Sequence, residues 1–341
     1  MAGGQERVLR RRIRSIEATK KITRSFELIA ASQIGRAQGR IAGSRPYVKA
    51  ISDILAETAR ESGSATRLLG VPESPERVLA LVIVADRGLA GAYNSSVLRA
   101  AERLIRSGSE KAQSYTVMAV GKKAHAYFRF RHQPVAHQFV GMSDRPSFED
   151  ARKVAAVIVP PFLAGEFDLV QIVSTRVRSA SSQFVETRQL LPVLAGPEPG
   201  HSPPAVHADL GTGAQAGAAH EPDPFDAMNG EPGRQLGYFE FEPDVEQLLA
   251  ALIPQYVEAA VYGALLEASA SEQAARQRAM SAATENAEEL LKTLRRVMNR
   301  ARQDTITTEI MEIVGGSEAL RSAAGQVHEL TYPQATEEQT V

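Results

Sequence analysis

The sequence predicts an α/β protein in which two long helices, one from each end of the chain, pair as an antiparallel coiled coil beside a central, mostly parallel sheet. Apolar residues recur at helical spacing near the beginning and again near the end, and strands alternate with helices between them. The predicted parts are a first helix at 1–60, an α/β block at 76–193, an insertion at 196–237, a second helix at 243–316 and a flexible tail at 321–341.

The first helix is predicted from a narrow apolar stripe. Between Leu9 and Ile41, apolar residues recur mostly at steps of three and four, with charged residues around them, and no proline occurs before Pro46. About 50 helical residues extend roughly 75 Å, which exceeds the width of a small domain. Most of this helix therefore needs a partner outside a compact core.

The second helix provides that partner. Helical spacing returns between Leu248 and Ile313, and Pro254 either starts the main helix at its first turn or kinks it. The alanine-rich stretch 268–287 would let two backbones approach closely. Gly315-Gly316 is predicted to end the helix. Two long striped helices from opposite ends of one chain favour an antiparallel coiled coil.

The block between the helices is predicted to hold a Rossmann-like sheet. Val78–Ala85 is a continuous apolar run, typical of a strand buried on both faces. Further strands are predicted at 115–120, 169–174 and 184–191, and helices at 95–105, 122–130 and 148–159, the last stopped by Pro160-Pro161. This alternation predicts a mostly parallel sheet, with the last two strands as a hairpin.

Composition excludes several classes of function. The 341 residues include no cysteine, which rules out disulfides, thiolate metal sites and thiol catalysis. No uninterrupted apolar run approaches the roughly 18 residues that span a bilayer. We therefore expect no direct membrane insertion, and any membrane association must come through partners.

The beginning of the chain is basic. Residues 1–60 contain 13 Lys and Arg against 5 Asp and Glu, so a cluster such as Arg10–Arg12 could contact nucleic acid or anionic lipid. Leu9, Ile13 and Ile16 interrupt the cluster at helical spacing, which favours a solvated helix face instead. With 6% aromatic residues and no tryptophan, the chain offers no stacking platform for single strands, and we expect no nucleic-acid partner.

The segment 196–237 is dense in glycine and proline, and we expect a disordered insertion because it cannot bury enough apolar surface to offset its ordering entropy. Its His201, His207 and His220 could in principle bind metal, but no cysteine or helical i, i+4 pairing supports a site. No metal site is predicted.

The turn Asp86-Arg87-Gly88-Leu89-Ala90-Gly91 is the main candidate for a binding loop. It follows a buried strand and precedes a helix, where a phosphate-binding loop belongs. However, it is G-x-x-G, and the chain contains no Walker motif. We expect no bound nucleotide and no cofactor, and a tight structural turn whose Asp86 and Arg87 pair or face a neighbouring subunit. Nucleophile elbows, H-E-x-x-H and clustered catalytic carboxylates are also absent from the sequence, so a non-catalytic protein is favoured.

Several motifs resemble the gamma subunit of F-type ATP synthases. They are Lys20–Thr23 with Glu27–Ser32, Asp86–Gly91 with Asn94, Ser271–Arg276, Ala283–Ala287, and Asn299–Gln303 with Ile306–Gly316. The resemblance implies a non-catalytic rotor whose two helices form the central shaft inside a ring of three alternating alpha and beta subunits. It also implies that the α/β domain sits with the epsilon subunit on the membrane c-ring, at the cytoplasmic face of the cell membrane.

The resemblance also implies site residues. Arg302 and Gln303 match the residues that contact a loop of beta, the so-called catch, and Thr307 and Glu309 lie one to two turns further on. Lys20 and Phe26 are implied shaft contacts, although the family usually has methionine at the position of Phe26, as it does at Gln277. In the α/β domain, the implied residues are Asp86, Arg87, Gly88 and Gly91.

The insertion falls where chloroplast members carry a redox segment with paired cysteines, so the absence of cysteine excludes thiol control. Two other functions remain open from the residues alone. One is a small nucleotide-dependent enzyme with the long helices as a dimerisation arm, and the other is a coiled-coil scaffold or nucleic-acid binder.

Overall fold

The computed structural model describes residues 2–61, 74–177, 182–193 and 245–329. The elements in chain order are α1 (Ala2–Glu61), β1 (Arg77–Ile83), α2 (Tyr93–Glu110), β2 (Ser114–Val120), α3 (Lys122–Phe130), β3 (Val135–Phe139), α4 (Phe148–Leu163), β4 (Leu169–Val177), β5 (Gln183–Leu191) and α5 (Val245–Glu329). The predicted insertion, with its three histidines, lies outside the described residues.

The strands form one sheet in the order β3-β2-β1-β4-β5. The pairs β1–β2, β1–β4 and β2–β3 are parallel, and β4 and β5 pair antiparallel. The prediction of a mostly parallel sheet that ends in a hairpin is confirmed. Strand β3, at one edge, is an element that the sequence analysis did not predict.

Strand β1 is the central strand of the sheet, and its side chains are buried on both faces. Every residue from Val78 to Ala85 is at most 2% exposed. On one face, Leu79 and Leu81 pack in a core that includes residues of α4 and α5. On the other face, Val82 packs in a core with residues of α2 and α3. The continuous apolar run therefore reflects helices on both sides of the sheet.

Helix α2 is longer than the predicted 95–105, and its last turn is fitted closely to β2. A Cβ atom added to Gly108 would lie 2.0 Å from Cε2 of Tyr115, at the start of β2. The absence of a side chain at Gly108 thus makes room for the tyrosine ring.

By their internal contacts, the described residues fall into two units. The central unit lies within Ser25–Ser281, and the terminal unit combines Met1–Arg24 with Ala282–Val341. Helices α1 and α5 contribute residues to both units.

The two long helices pair antiparallel in each unit. In the terminal unit, Glu17 contacts Arg295, Lys20 contacts Glu288 and Thr23 contacts Thr284. In the central unit, Ala37 and Ile41 of α1 pack with Leu266 and Ala270 of α5. Within each unit, residue numbers rise along one helix as they fall along the other, so the predicted antiparallel pairing is confirmed.

Helix α5 corrects two predictions about its ends. Gly315-Gly316 does not end the helix, which continues to Glu329, nine residues into the predicted tail. Neither glycine has a positive φ, so the left-handed turn of a glycine C-cap is absent at this point. The helix also begins at Val245, so Pro254 lies inside it and does not start it.

Helix α4 corrects a third prediction, because it continues through Pro160 and Pro161 to Leu163. Proline lacks an N–H donor, but its carbonyl still accepts. The carbonyls of Pro160 and Pro161 accept hydrogen bonds from the N–H groups of Ala164 and Glu166. The last turn also places Phe162, which is 1% exposed, in the core.

By length and composition alone, the described part of α5 is able to cross a membrane, since an 18-residue window reaches a mean hydropathy of 1.4. A buried core helix passes the same test. In α5, Leu249, Ile253 and Val257 are fully buried in the core on the sheet. Core packing accounts for the apolar character at these three positions.

Candidate functional site

The turn after β1 is organised by Asp86. Its Oδ1 accepts a hydrogen bond from the N–H of Lys122 at 3.0 Å, and its Oδ2 accepts from the N–H of Gly141 at 2.9 Å. The hydroxyl of Ser143 lies 3.2 Å from the same Oδ2 and 3.0 Å from the N–H of Asp86. One carboxylate thus joins the chain segments that follow β1, β2 and β3.

The rest of the turn is held from both sides. The amide of Asn94 accepts from the N–H of Ala85 at 2.9 Å and donates to the carbonyl of Arg87 at 3.3 Å. Leu89 and Gly91 both have positive φ, 63° and 54°. These bonds stabilise a tight turn that includes an uncommon backbone conformation at Leu89.

Arg87 forms an ion pair with Asp144, with Nε and Oδ2 3.5 Å apart, and its side chain is 74% exposed. The carbonyl of Gly88 accepts a hydrogen bond from Nη2 of Arg276 at 3.3 Å. Asp86 and Arg87 therefore have partners within the chain, as the structural interpretation of this turn expected. Contact of Asp86, Arg87, Gly88 and Gly91 with a neighbouring subunit stays a prediction.

Arg276 belongs to a buried polar cluster on α5. It pairs with Glu272, which is 0% exposed, and donates through Nη1 to Oε1 of Gln273 at 3.0 Å. Burial raises the pKa of Glu272, and the charge of Arg276 opposes that shift. Burial, and then the charge of Glu272, raise the pKa of the neighbouring Tyr93.

This cluster occupies the place where open α/β sheets commonly bind ligands, at the carboxyl ends of two strands between which the strand order reverses. Tyr93, which lies beside both Glu272 and Thr175, follows the turn after β1. Thr175 lies near the end of β4, and β4 pairs with β1 on the side opposite β2. Side chains of α5 fill this position. In the sequence, Glu272 and Arg276 stand out only as part of a family motif, and nothing in their local spacing indicates that they meet the turn.

The residues predicted to contact beta lie on α5 in the terminal unit. Arg302, Gln303, Thr307 and Glu309 are all exposed. The hydroxyl of Thr307 donates to the carbonyl of Gln303 at 3.0 Å, one helical turn back. Within the described part of the chain, neither Arg302 nor Glu309 forms an ion pair, so both charged groups are available to a partner.

Lys20 and Phe26 have different surroundings. Nζ of Lys20 lies 2.6 Å from Oε1 of Glu288 in the terminal unit, and this ion pair lowers the pKa of Glu288. Phe26 belongs to the central unit and is 37% exposed. Lys20 is thus part of the helix pairing itself, and the role of both residues as shaft contacts with other subunits stays a prediction.

Within the described ranges, no three or more His, Asp or Glu residues lie close enough together to hold a metal ion. His201, His207 and His220 lie outside those ranges.

Comparison with known proteins identifies the family. The family model described as ATP synthase matches residues 5–320. The ATP synthase gamma chain of Parafrankia sp. (strain EAN1pec) is 42% identical over 325 residues, covering 94% of this chain and 99% of the relative. The gamma chain of Acidothermus cellulolyticus is 40% identical over 323 residues, covering 93% of this chain and 98% of the relative.

Solved structures share the fold. A chain in the cryo-EM structure of the Euglena gracilis mitochondrial ATP synthase (OSCP/F1/c-ring) aligns with a TM-score of 0.60 and 18% identity, over 99% of this chain and 100% of that chain. A chain of the Tetrahymena thermophila central stalk and c-ring structure aligns with a TM-score of 0.52 and 22% identity, over 77% and 99%. With the family model and the relatives matching nearly end to end, this chain belongs to the ATP synthase gamma chain family.

Proposed function

We propose that this chain is the central-stalk rotor subunit of a proton-translocating F-type ATP synthase. It couples rotation of the membrane c-ring to conformational cycling of the catalytic beta subunits and catalyses no reaction itself. The observation that carries this function is the match to gamma chains over 94% of the sequence, at 42% identity to one of them. The antiparallel pairing of the two chain ends supports it.

The partners follow from that role. They are three alpha and three beta subunits around the helix pair, with the epsilon subunit and the c-ring at the α/β domain. The complex lies at the cytoplasmic face of the cell membrane, and the chain is attached there through its partners without inserting into the bilayer.

Rotation changes the beta subunits by population shift. A rotor surface that differs from side to side presents different contacts to each beta subunit. Each orientation therefore favours one beta conformation by the difference in contact free energy. Product release is then driven by the turning of the rotor, and no bond is made or broken on this chain.

Arg302, Gln303, Thr307 and Glu309 are the residues we assign to the contact with beta. All four are exposed on one stretch of α5, and the two charged groups lack internal ion pairs among the described residues. An arginine can form two parallel hydrogen bonds with a carboxylate, and such bonds depend strongly on orientation. They are therefore suited to form and break as the rotor turns.

Capture from cells through a tag in the insertion tests the function directly. We expect alpha and beta subunits to be recovered together with the chain. Recovery of nucleic acid alone would support the scaffold or nucleic-acid alternative. A homodimer alone would support the dimeric enzyme, and either result would overturn the rotor.

The contact with beta is tested by Arg302→Ala combined with Gln303→Ala. We expect unchanged folding and a fall of about tenfold in coupled ATP synthesis, the effect of about 1.4 kcal/mol on a rate. The rate is measured in membrane vesicles energised by a proton gradient.

The matched control for this double variant is Arg103→Ala, which removes an exposed arginine from α2. It should leave the synthesis rate unchanged. If the double variant also makes ATP at the wild-type rate, the assignment of Arg302 and Gln303 is wrong.

A further inference from the structure

The loop 141–147, between β3 and α4, contacts both long helices and the edge of the sheet. None of its residues is among those assigned to the contact with beta. Its ends are fixed: the N–H of Gly141 donates to Asp86, and Ser147 caps α4 in a reciprocal pair with Asp150. Between them, Met142 and Ser143 are 7% and 8% exposed. A loop held at both ends can transmit force without extending.

Each long helix donates one hydrogen bond to this loop. The hydroxyl of Ser269, on α5, donates to the carbonyl of Asp144 at 3.2 Å, and Ser269 is 3% exposed. Nη1 of Arg40, on α1, donates to the carbonyl of Pro146 at 3.3 Å. All of these residues belong to the central unit.

These bonds differ in kind from the apolar contacts around them. Apolar burial is non-directional, so the packing of Leu249, Ile253 and Val257 of α5 in the core on the sheet resists separation more than sliding. A hydrogen bond weakens steeply when its angle changes. Two bonds from two helices to one loop therefore oppose a turning of the helix pair against the sheet.

We propose that loop 141–147 is a torque coupling of the rotor, which acts beside the hydrogen bond from Arg276 to the carbonyl of Gly88. Arg40 and Ser269 act as positioning residues that keep the helix pair from turning relative to the α/β domain. The inference rests on the proposed function, because only a rotor driven through its α/β domain must pass torque along this path. In such a rotor, the helices experience the load from the beta subunits, and the sheet domain experiences the drive from the c-ring.

The test uses the double variant Arg40→Ala/Ser269→Ala in the assembled complex, in inverted membrane vesicles. ATP hydrolysis and ATP-driven proton uptake are measured together while the opposing proton gradient is raised stepwise. Each lost hydrogen bond should raise about fivefold the population of the state in which the helix pair has turned relative to the α/β domain. We expect wild-type proton uptake per ATP at low gradient and a loss of uptake per ATP at high gradient, with hydrolysis maintained.

The dependence on load separates this role from a merely structural one. A structural defect would lower assembly or the melting temperature and reduce uptake equally at every gradient. The variants Arg40→Lys and Ser269→Thr keep a donor at each position and should behave as wild type. Arg103→Ala, which removes an exposed arginine from α2, is the control for loss of a surface charge.

Wild-type uptake per ATP by the double variant at every gradient overturns the proposal. If the double variant does not assemble, the single variants decide: each should show a smaller loss at high gradient, and wild-type behaviour in both overturns the proposal. Failure of the wild-type chain itself to assemble with alpha and beta would instead overturn the proposed function.

Discussion

At the scale of single residues, Asp86 has a role that its motif only partly indicated. The sequence placed it in a turn after a buried strand, but its three partners lie 36, 55 and 57 residues further along the chain. Local pattern cannot predict such partners, because they depend on the order of the strands in the sheet. The carboxylate is needed to satisfy two backbone N–H groups at the carboxyl edge of the sheet.

Replacing Asp86 with alanine should therefore destabilise the α/β domain. We expect the free energy of unfolding in urea to fall by about 3 kcal/mol, since two backbone donors lose a charged acceptor. Arg87→Ala removes a neighbouring but exposed ion pair and should cost less than about 0.5 kcal/mol. Equal losses in the two variants would show that the turn does not depend on Asp86.

The hydrogen bonds of the Asp168 carboxylate should make the free energy of unfolding depend on pH. It accepts hydrogen bonds from the backbone N–H and the guanidinium of Arg77, at 2.9 Å and 2.7 Å, and from the N–H of Glu76. The hydrogen bond from the Arg77 side chain holds the pKa of this carboxyl below its usual range. Because the folded pKa is below the unfolded one, the stabilisation is complete above the unfolded pKa and is lost as pH falls through the folded pKa.

Asp168→Asn should lower stability at neutral pH and make the loss of stability below about pH 4 less steep than in wild type. Urea unfolding at a series of pH values measures both effects. Curves for the two proteins that run parallel through the acid range would contradict the assignment.

At the scale of elements, the sequence predicted what periodicity controls and missed what tertiary contacts decide. The long helical stripes and the apolar run of β1 were identified, because their patterns extend over many residues. Pro160-Pro161 and Gly315-Gly316 were interpreted as stop signals, and both lie inside helices. A local signal costs at most a few kcal/mol in a helix, and core packing or a long helical context offsets it.

Strand β3 and the loop after it were invisible to the same reasoning. The three middle residues of Val135–Phe139 are all exposed, so buried and exposed positions do not alternate along it. Its sequence therefore resembles that of a loop. The hydrogen bonds of loop 141–147 to α1 and α5 join residues 106 and 125 positions apart. The residues assigned to the contact with beta were identified from the family resemblance and not from their spacing in the sequence.

The continuity of α5 across Gly315 and Gly316 leads to a stability prediction. Alanine at both positions should raise the free energy of local helix opening by about 1 kcal/mol per substitution, because glycine loses more backbone entropy than alanine. Both added methyl groups find no atom within 4 Å. Amide hydrogen exchange around these positions in the purified chain measures the effect.

Gly121→Ala is a control in which the added methyl group should destabilise the protein instead of stabilising it. Gly121 has φ +96°, and an added Cβ would lie 2.2 Å from the carbonyl oxygen of Val84. This substitution should destabilise the sheet. Faster exchange after the substitutions at 315 and 316 would indicate that the helix does not continue through the glycines in solution.

At the scale of the whole molecule, different kinds of contact stabilise the inside of each of the two units. The terminal unit pairs its helices through Glu17–Arg295, Lys20–Glu288 and a buried hydrogen bond between Thr23 and Thr284 at 2.8 Å. The central unit adds an apolar core on the sheet.

Large apolar side chains remain exposed on α5 beyond the helix pairing. They are Ile306, Ile310, Met311, Ile313, Val314 and Leu320. An extended exposed apolar surface is typical of an interface, which supports enclosure by partner subunits.

The glycine- and proline-rich insertion lies outside the described residues, so its prediction rests on composition. Deletion of 197–235 should preserve assembly, because such a segment contributes little to a folded core. A native gel of the complex from cells expressing the deleted chain gives the answer. Loss of the folded α/β domain in that chain would show that the segment is structural.

The fit of Tyr115 against Gly108 restricts how this family member can diverge. Because a single methyl group at 108 would overlap the ring, a larger residue there requires a smaller one at 115. The two positions should therefore change together in descendants of this protein.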